Sequence, residues 1–231
     1  MQASQHSRFR PWLGIGTAGV AVFMFFAAEA AEAPLQWPTP AGDAANRRFS
    51  ALDDITPANV AHLRPAFTFS TGTLKGQEAA PIVSTDTMYV VAPYPNKLFA
   101  IALDQPGGPA RWSFDPHPNA SSQGVACCDV VNRGATIADG RVFFNTLDGQ
   151  TLAIDGKSGK QLWRVQLGDI AHGETMTMAP FVVHDKVLVG NSGGEFGVRG
   201  WLTALDAATG KILWRAYSTG PDKEVLIGPV L

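Results

Sequence analysis

The sequence predicts an all-β protein built from β-propeller blades, and three observations support this fold class. A unit of about 50 residues recurs along the chain. Each copy contains four short runs of β-forming residues, and the runs are separated by Asp-Gly and other Gly-containing turns. Four antiparallel strands in about 50 residues are typical of one propeller blade.

The repeat is marked by three tryptophans at a constant spacing. Trp112, Trp163 and Trp214 lie 51 residues apart. Each follows an Ala by ten residues and an Asp by eight, and these pairs are Ala102 and Asp104, Ala153 and Asp155, and Ala204 and Asp206. A Ser/Thr-Gly-Lys turn lies between Asp and Trp in the second and third copies, whereas residues 106–109 of the first copy are degenerate. Coinciding offsets in three copies indicate a true structural repeat.

The strand boundaries follow from the turns. In the second copy we predict the strands Ala135–Ala138, Arg141–Asn145, Thr151–Asp155 and Gln161–Val165. In the third copy we predict Pro180–Val183, Lys186–Val189, Trp201–Asp206 and Ile212–Ala216. Each repeat Trp should then pack flat between neighbouring blades, with the Ala and the turn Gly leaving room for it. An ordinary core position would also bury these tryptophans, but their fixed spacing favours the propeller.

The chain supplies about three blades, and propellers usually close with about four to eight. One further strand is predicted near Pro65–Ser70, after a short helix with Thr56 as N-cap and Pro57 in its first turn. We expect this lone strand to complete a last blade that the sequence does not contain. The predicted organisation is therefore an N-terminal segment over residues 34–64 and a partial propeller over 65–231, which together form a fragment.

The first 33 residues are typical of a secretory signal peptide. Arg8 and Arg10 precede an apolar run over 13–28, and small residues follow it. An uncleaved membrane anchor is the alternative, but the apolar run is shorter than the ~20 residues that span a bilayer. We expect cleavage after Ala30 or Ala33 and export to the periplasm.

Composition excludes one class of partner. Charged residues make up 16% of the chain, and the formal net charge is -2. No basic stripe is present, so nucleic acid is not expected to bind.

Three segments contain residues suited to chemistry. Cys127 and Cys128 are adjacent and are the only cysteines, so in an oxidising compartment they are a candidate disulfide. Neighbouring Cα atoms lie ~3.8 Å apart, below the usual disulfide range of ~4.4–6.8 Å, so the bond would be strained. Two free thiols are the alternative. The Gly-rich run 190–200 carries Glu195, an oxygen donor for a hard cation. Glu78 and Thr177 could bond a polar cofactor or serve as surface and capping residues.

Together these segments resemble the pyrroloquinoline quinone (PQQ)-dependent alcohol dehydrogenases, which include methanol and ethanol dehydrogenases. The resemblance runs from about Trp37 to the end of the chain. It rests on the repeat Ala-x-Asp-x-x-Ser/Thr-Gly-Lys-x-x-Trp, on the run 127–134 and on the run 192–200. The resemblance implies an eight-bladed propeller that oxidises primary alcohols to aldehydes.

The resemblance also implies a role for each matching residue. Cys127 and Cys128 would form a vicinal disulfide against one face of PQQ. Glu195 would ligate Ca²⁺ or a lanthanide ion. The other cofactor-binding positions are Glu78, Arg133, Thr177, Ser192, Gly193 and Gly194. Many family members carry Ala at the position of Gly194.

The resemblance places the catalytic Asp downstream of Leu231, so this chain is expected to be inactive by itself. It further implies a small alcohol as substrate and a cytochrome c or a quinone as electron acceptor, and it leaves a homodimer open. A non-catalytic propeller scaffold of the cell envelope is the main alternative, although it has no need of Cys127, Cys128 or Glu195. A PQQ-dependent sugar dehydrogenase is another, and the vicinal cysteines favour the alcohol branch.

Overall fold

The structure is a computed structural model, and it describes residues 36–226. Three antiparallel sheets follow one another along the chain. The first contains β1 (Gln36–Trp37), β2 (Ile82–Ser84), β3 (Thr87–Val91), β4 (Leu98–Ala102) and β5 (Trp112–Phe114). The second contains β6 (Ala135–Ala138), β7 (Arg141–Asn145), β8 (Gln150–Asp155) and β9 (Gln161–Gln166). The third contains β10 (Phe181–Val183), β11 (Lys186–Gly190), β12 (Trp201–Asp206) and β13 (Ile212–Tyr217).

The helical elements are short. Four 3₁₀ turns, Val60–His62, Ala120–Ser122, Ile170–His172 and Gly194–Phe196, and the four-residue helix α1, Asp222–Val225, connect or flank the strands. No helix within residues 36–226 is long and apolar enough to cross a membrane.

Every sheet is an up-and-down meander in which neighbours in sequence are hydrogen-bonded neighbours in space. This confirms the prediction of an all-β chain with three blades, and the strands of the second and third sheets agree with the predicted ranges to within one residue at each end. The first sheet has one additional strand, β1, in which Trp37 pairs with Val83 of β2. Sequence patterning did not predict β1, because two residues are too few for a detectable alternation.

The middle sheet is buried on both faces. On β7, Val142, Phe143 and Phe144 are all fully buried, although successive side chains of a strand point to opposite faces. Phe144 belongs to the core shared with the first sheet, and Phe143 to the core shared with the third. A strand covered on both faces needs a continuous apolar run, and that run is what the sequence contains.

The repeat tryptophans dock onto the following sheet. Trp112 Nε1 donates to the Gly156 carbonyl over 3.0 Å, and Trp163 Nε1 donates to the Ala207 carbonyl over 3.1 Å. A Cβ on Gly159 would lie 2.7 Å from the Trp112 ring, and one on Gly210 would lie 2.8 Å from the Trp163 ring. The predicted room for Trp112 and Trp163 is therefore confirmed, because any side chain on these glycines would collide with an indole.

The Asp and Ser/Thr of the repeat shape the turn that carries this glycine. Asp155 Oδ1 accepts from the Ser158 backbone N–H over 2.7 Å and from the Ser158 hydroxyl over 2.6 Å. Asp206 makes the same two contacts with Thr209, at 2.8 and 2.7 Å. Short polar side chains that bond their own backbone stabilise such turns. These bonds hold the pKa of both carboxyl groups below the ordinary value of 3.8.

Two N-terminal predictions are wrong in detail. Residues 65–70 form no strand, and no described strand pairs with them. An extended segment becomes a strand only when a partner supplies the ladder of hydrogen bonds. The Thr56 side chain caps no helix. Instead, the Asn59 side chain accepts from the Thr56 N–H over 2.8 Å, and the helical turn begins only at Val60. The predicted signal peptide lies outside the described residues, and the boundaries 34–64 and 65–231 stay predictions.

Candidate cofactor-binding site

The predicted site residues lie on four segments. Three of them precede β2, β6 and β10, and β6 contacts both β2 and β10; the fourth is the loop between β11 and β12. Ala80 forms a parallel bridge with Gly134. The Arg133 backbone N–H donates to the Thr177 carbonyl over 2.9 Å. Residues separated by about 50 positions in sequence therefore meet at one edge of the three sheets.

A continuous polar row joins four of the predicted residues. The Glu78 carboxylate lies 3.5 Å from the Arg133 guanidinium. Arg133 Nη1 donates to Thr177 Oγ1 over 2.6 Å, and Thr177 Oγ1 lies 3.1 Å from Ser192 Oγ. Thr177 is buried, whereas Glu78 and Arg133 are exposed. The row thus offers a guanidinium group and hydroxyl groups to a ligand, and the buried Thr177 holds them in place.

Gly193 and Gly194 are adjacent but differ in their surroundings. Gly193 has φ 120°, and a Cβ there would lie 2.5 Å from the Gly173 carbonyl oxygen. Only glycine satisfies both constraints at this position. A Cβ on Gly194 would meet nothing within 4 Å. The open position is the one at which the resemblance implies Ala in many family members.

Cys127, Cys128 and Glu195 form a second, exposed group beside this row. The two Sγ atoms lie 3.0 Å apart as free thiols, and the Cys127 thiol contacts the Glu195 carboxylate. The hydrogen bond with Cys128, followed by that with Glu195, raises the pKa of the Cys127 thiol to about 12. The bond from Cys127 lowers the pKa of Glu195. The disulfide stays a prediction, because the structure holds the two sulfur atoms close together without joining them.

A buried residue that the sequence patterns did not indicate, Asn132, holds the backbone around Arg133. Asn132 is 1% exposed. Its Nδ2 donates to the Asn145 carbonyl over 2.9 Å, and its Oδ1 accepts from the Gly134 N–H over 2.8 Å. Asn132 therefore fixes the backbone on both sides of Arg133. Asn132 lies within the run 127–134 on which the family resemblance rests. The ability of its amide to donate and accept hydrogen bonds was the one indication of this role in the sequence.

The donor set fits a flat, anionic, carbonyl-bearing ligand and a hard cation beside it. Arg133, Thr177 and Ser192 supply donors for carboxylate or carbonyl oxygens. Thr175 Oγ1 is also buried here without a partner among the described residues. Glu195 supplies an oxygen ligand, but no three His, Cys, Asp or Glu side chains gather into a metal site within 36–226. A cation that takes about six to eight oxygen ligands would need further donors besides Glu195.

Comparison with known proteins identifies the family of the chain. Residues 37–225 match the family model described as PQQ: glucose/ethanol/alcohol dehydrogenase, beta-propeller domain. The chain is 50% identical to the lanthanide-dependent methanol dehydrogenase of Methylacidiphilum fumariolicum strain SolV, over 84% of this chain and 32% of that protein. It is 46% identical to the methanol dehydrogenase [cytochrome c] subunit 1 of Methylorubrum extorquens, over 83% of this chain and 31% of that protein.

A solved structure of a europium-containing methanol dehydrogenase superposes with a TM-score of 0.83 at 49% identity, covering 86% of this chain and 34% of that one. The chain therefore belongs to the PQQ-dependent alcohol dehydrogenase family. It spans about a third of the length of the curated relatives that it matches.

Proposed function

We propose that the protein is a periplasmic dehydrogenase that oxidises small primary alcohols to aldehydes with PQQ and a Ca²⁺ or lanthanide ion. Electrons would pass to a cytochrome c or a quinone. The observation that carries the proposal is the polar row from Glu78 to Ser192, with Glu195 and the vicinal cysteines beside it. The row lies within the matching family domain. The printed names of the relatives, which include lanthanide-dependent and europium-containing methanol dehydrogenases, support the choice of metal and substrate.

In this proposal each group of residues at this edge of the sheets has a separate role. Arg133 and Thr177 bind the oxygen atoms of PQQ, and Glu78 holds Arg133 in place through their 3.5 Å ion pair. Ser192, Gly193 and Gly194 contact the ring system and its carboxylates, since glycine lets the backbone approach a flat ligand. Cys127 and Cys128, joined as a disulfide, cover one face of the ring.

Glu195 would ligate the metal ion. When bound, PQQ supplies an electrophilic quinone that accepts two electrons, and the metal ion polarises it as a Lewis acid. The chain's own contribution is a charged, exposed carboxylate on a tight turn, Gly194–Phe196. The catalytic Asp that the resemblance places after Leu231 is part of the proposal, so its test requires the full product of the natural gene.

Replacing Arg133 or Glu195 tests the site directly. In the full natural protein, Arg133→Ala should weaken PQQ binding by about 10–100-fold, the worth of one or two charge-assisted hydrogen bonds. Glu195→Gln should weaken metal binding while PQQ binding changes less, because an amide oxygen is a poorer ligand for a hard cation than a carboxylate oxygen. Calorimetric titration of each variant with PQQ and with Ca²⁺ or La³⁺ measures both effects.

Arg164→Ala is the matched control, because Arg164 is an exposed arginine on β9 that bonds only Gln161 among the described residues. It should leave both affinities unchanged. Equal affinities in the Arg133 variant, the Glu195 variant and the control would show that this edge does not bind the cofactor.

The adjacent glycines provide a second test at the same edge. Gly193→Ala should destabilise the protein by about 2–4 kcal/mol, because a Cβ would meet the Gly173 carbonyl and the backbone is left-handed. Gly194→Ala should change stability by less than about 0.5 kcal/mol. Urea denaturation measures both, and comparable losses would contradict the described loop.

A further inference from the structure

The loop that carries Ser192 to Glu195 leaves its sheet at a defined point. The last ladder pair between β11 and β12 is Gly190 with Leu202. Residues 191–200 then belong to no strand until β12 begins at Trp201, and their one ladder contact is the isolated antiparallel bridge of Ser192 with Thr175. The position of Glu195 consequently depends on how the base of this loop is closed.

The side chain of Asn191 closes that base. Its Oδ1 accepts from the Trp201 N–H over 2.8 Å, and its Nδ2 donates to the Arg199 carbonyl over 3.1 Å. One amide therefore replaces two hydrogen bonds that a longer ladder would have made. Asn and Gln combine an acceptor and a donor in one planar amide, and Asn is the shorter of the two.

The rest of the loop divides into an anchored first leg and a tip whose backbone hydrogen bonds are all internal, while the Glu195 side chain contacts Cys127. The Ser192 N–H donates to the Thr175 carbonyl over 2.8 Å. In the tip, the backbone N–H groups of Phe196 and Val198 both donate to the Gly193 carbonyl, over 2.9 and 3.1 Å. Glu195 lies within this tip. Its placement thus requires that the returning leg, residues 198–200, is also held.

A second contact holds the returning leg from outside. Arg199 Nε donates to the Thr219 carbonyl over 2.7 Å, and Arg199 Nη1 lies 2.8 Å from a Glu224 carboxylate oxygen. These partners belong to the segment after β13 rather than to the loop. Among the described side chains, Asn191 is the one that joins the two legs directly.

We infer that Asn191 is a positioning residue for the Glu195 carboxylate and thereby sets the metal affinity of the site. The inference rests on the proposed role of Glu195 as a metal ligand. As a positioning residue, Asn191 itself contacts neither the metal nor PQQ. It acts by keeping the two legs of the 191–200 loop at a fixed separation.

Removing the amide tests the inference in the full natural protein loaded with PQQ. Eu³⁺ is titrated against a competing chelator, and the Eu³⁺ emission lifetimes in H₂O and D₂O report how many water molecules stay bound to the ion. Asn191→Ala should lower the Eu³⁺ affinity by about 10–100-fold, the usual effect of losing an outer residue that orients a ligand. The number of bound waters should rise, because a displaced carboxylate leaves a coordination position to solvent.

Asn191→Asp distinguishes an effect on the position of the loop from an effect of local charge. It remains informative if the Ala variant does not fold. Asp keeps the acceptor for the Trp201 N–H but loses the donor to the Arg199 carbonyl. A new negative charge near the site would by itself raise the affinity for a cation. We expect the affinity to fall nevertheless, by less than in the Ala variant. An affinity equal to or above that of the wild type would overturn the inference.

Asp206→Ala controls for a general loss of stability in the same sheet. Asp206 lies at the opposite end of β12 and accepts three hydrogen bonds, from Ala208 and Thr209. It should lower the melting temperature without changing Eu³⁺ affinity or hydration. An equal loss of affinity in Asp206→Ala and Asn191→Ala would show that Asn191 is merely structural.

Glu195→Gln distinguishes this inference from the function on which it rests. If Glu195→Gln leaves Eu³⁺ binding unchanged, the proposed metal ligand is wrong and the inference falls with it. If Glu195→Gln weakens binding while Asn191→Ala does not, the proposed function stands and the positioning role alone is refuted.

Discussion

Trp163 and Trp214 occupy the same position of the same repeat, yet they have different surroundings. Each pairs across its hairpin with the repeat Ala, Trp163 with Ala153 and Trp214 with Ala204. Trp163 is 8% exposed and donates to the Ala207 carbonyl of the next sheet. Trp214 is 36% exposed, and its indole has no acceptor among the described residues.

The difference lies entirely in the neighbouring sheet. The strand residues around the two tryptophans follow one pattern, whereas the turn glycine that covers Trp163, Gly210, has no described counterpart over Trp214. Leu202 of the third sheet is likewise exposed, whereas Thr151 at the same repeat position of the second sheet is buried. A propeller blade therefore completes the burial of the blade before it, and the repeat is stabilised between units rather than within them.

The largest effect is expected when each tryptophan is replaced by alanine, which removes its indole. Trp163→Ala should cost about 3–5 kcal/mol of unfolding free energy, since it leaves a cavity between two sheets. Trp214→Ala should cost about 1 kcal/mol, because its indole is already partly hydrated. Urea denaturation of the two variants measures the difference, and equal losses would contradict the described packing.

The same pair of variants can be measured in the full product of the natural gene. If a further repeat supplies a glycine turn to Trp214, the cost of Trp214→Ala should rise towards that of Trp163→Ala. A persistent difference between them would show that Trp214 stays uncovered.

A smaller effect is expected from filling the space above the docked ring. Gly210→Ala should cost about 2–4 kcal/mol, because a Cβ would lie 2.8 Å from the Trp163 indole and φ is 74°. Gly140→Ala is the matched control, since Gly140 has a similar φ of 72° and no atom within 4 Å of a Cβ. It should cost only the backbone penalty of about 1–2 kcal/mol. Thermal unfolding of both variants isolates the steric part of the stability loss. Identical losses of stability would argue against close docking of the Trp163 ring on Gly210.

The smallest effect concerns the turn that presents the glycine. The Ser158 hydroxyl and N–H hold the pKa of Asp155 below 3.8, so this carboxylate stabilises the fold above that pH and loses the contribution as pH falls through its folded pKa. Asp155→Asn cannot titrate. Its stability should fall less steeply than that of the wild type between about pH 5 and pH 2, by under about 1 kcal/mol because the turn is exposed. Urea midpoints across this range test the point, and parallel pH profiles would contradict it.

Regular, repeated features were predictable from the sequence. The strands of the second and third sheets, the docking of Trp112 and Trp163 and the turn glycines all follow from local patterns that recur along the chain. The prediction of a strand over 65–70 and of a cap at Thr56 was wrong, because these segments lack a repeat and a described strand partner. The first copy shows the same limit. Its degenerate turn is held by an ion pair of Arg111 with Asp104, which the repeat pattern does not contain.

Many residues of the candidate site were also predictable, although the hydrogen bonds between them were not. The runs 127–134 and 192–200 identified Arg133, Ser192 and Glu195 through a family resemblance. The sequence did not indicate that Arg133 bonds Thr177, or that Asn132 and Asn191 order the backbone around the site. Those contacts join residues up to 44 positions apart, and spacing along the chain does not report which side chains meet.

The sequence by itself determined the fold class, the blade period, the turn chemistry and the residue types available for a cofactor. These are local properties, encoded in the alternation of apolar residues and in the backbone preferences of Gly, Asp and Ser. Only the tertiary structure decided that Glu78, Arg133, Thr177 and Ser192 form one row, that Gly193 must be glycine while Gly194 need not be, and that Trp163 is covered while Trp214 is not. Each of these depends on the adjacent sheet or loop, because burial and hydrogen bonding between segments arise only when the sheets pack against one another.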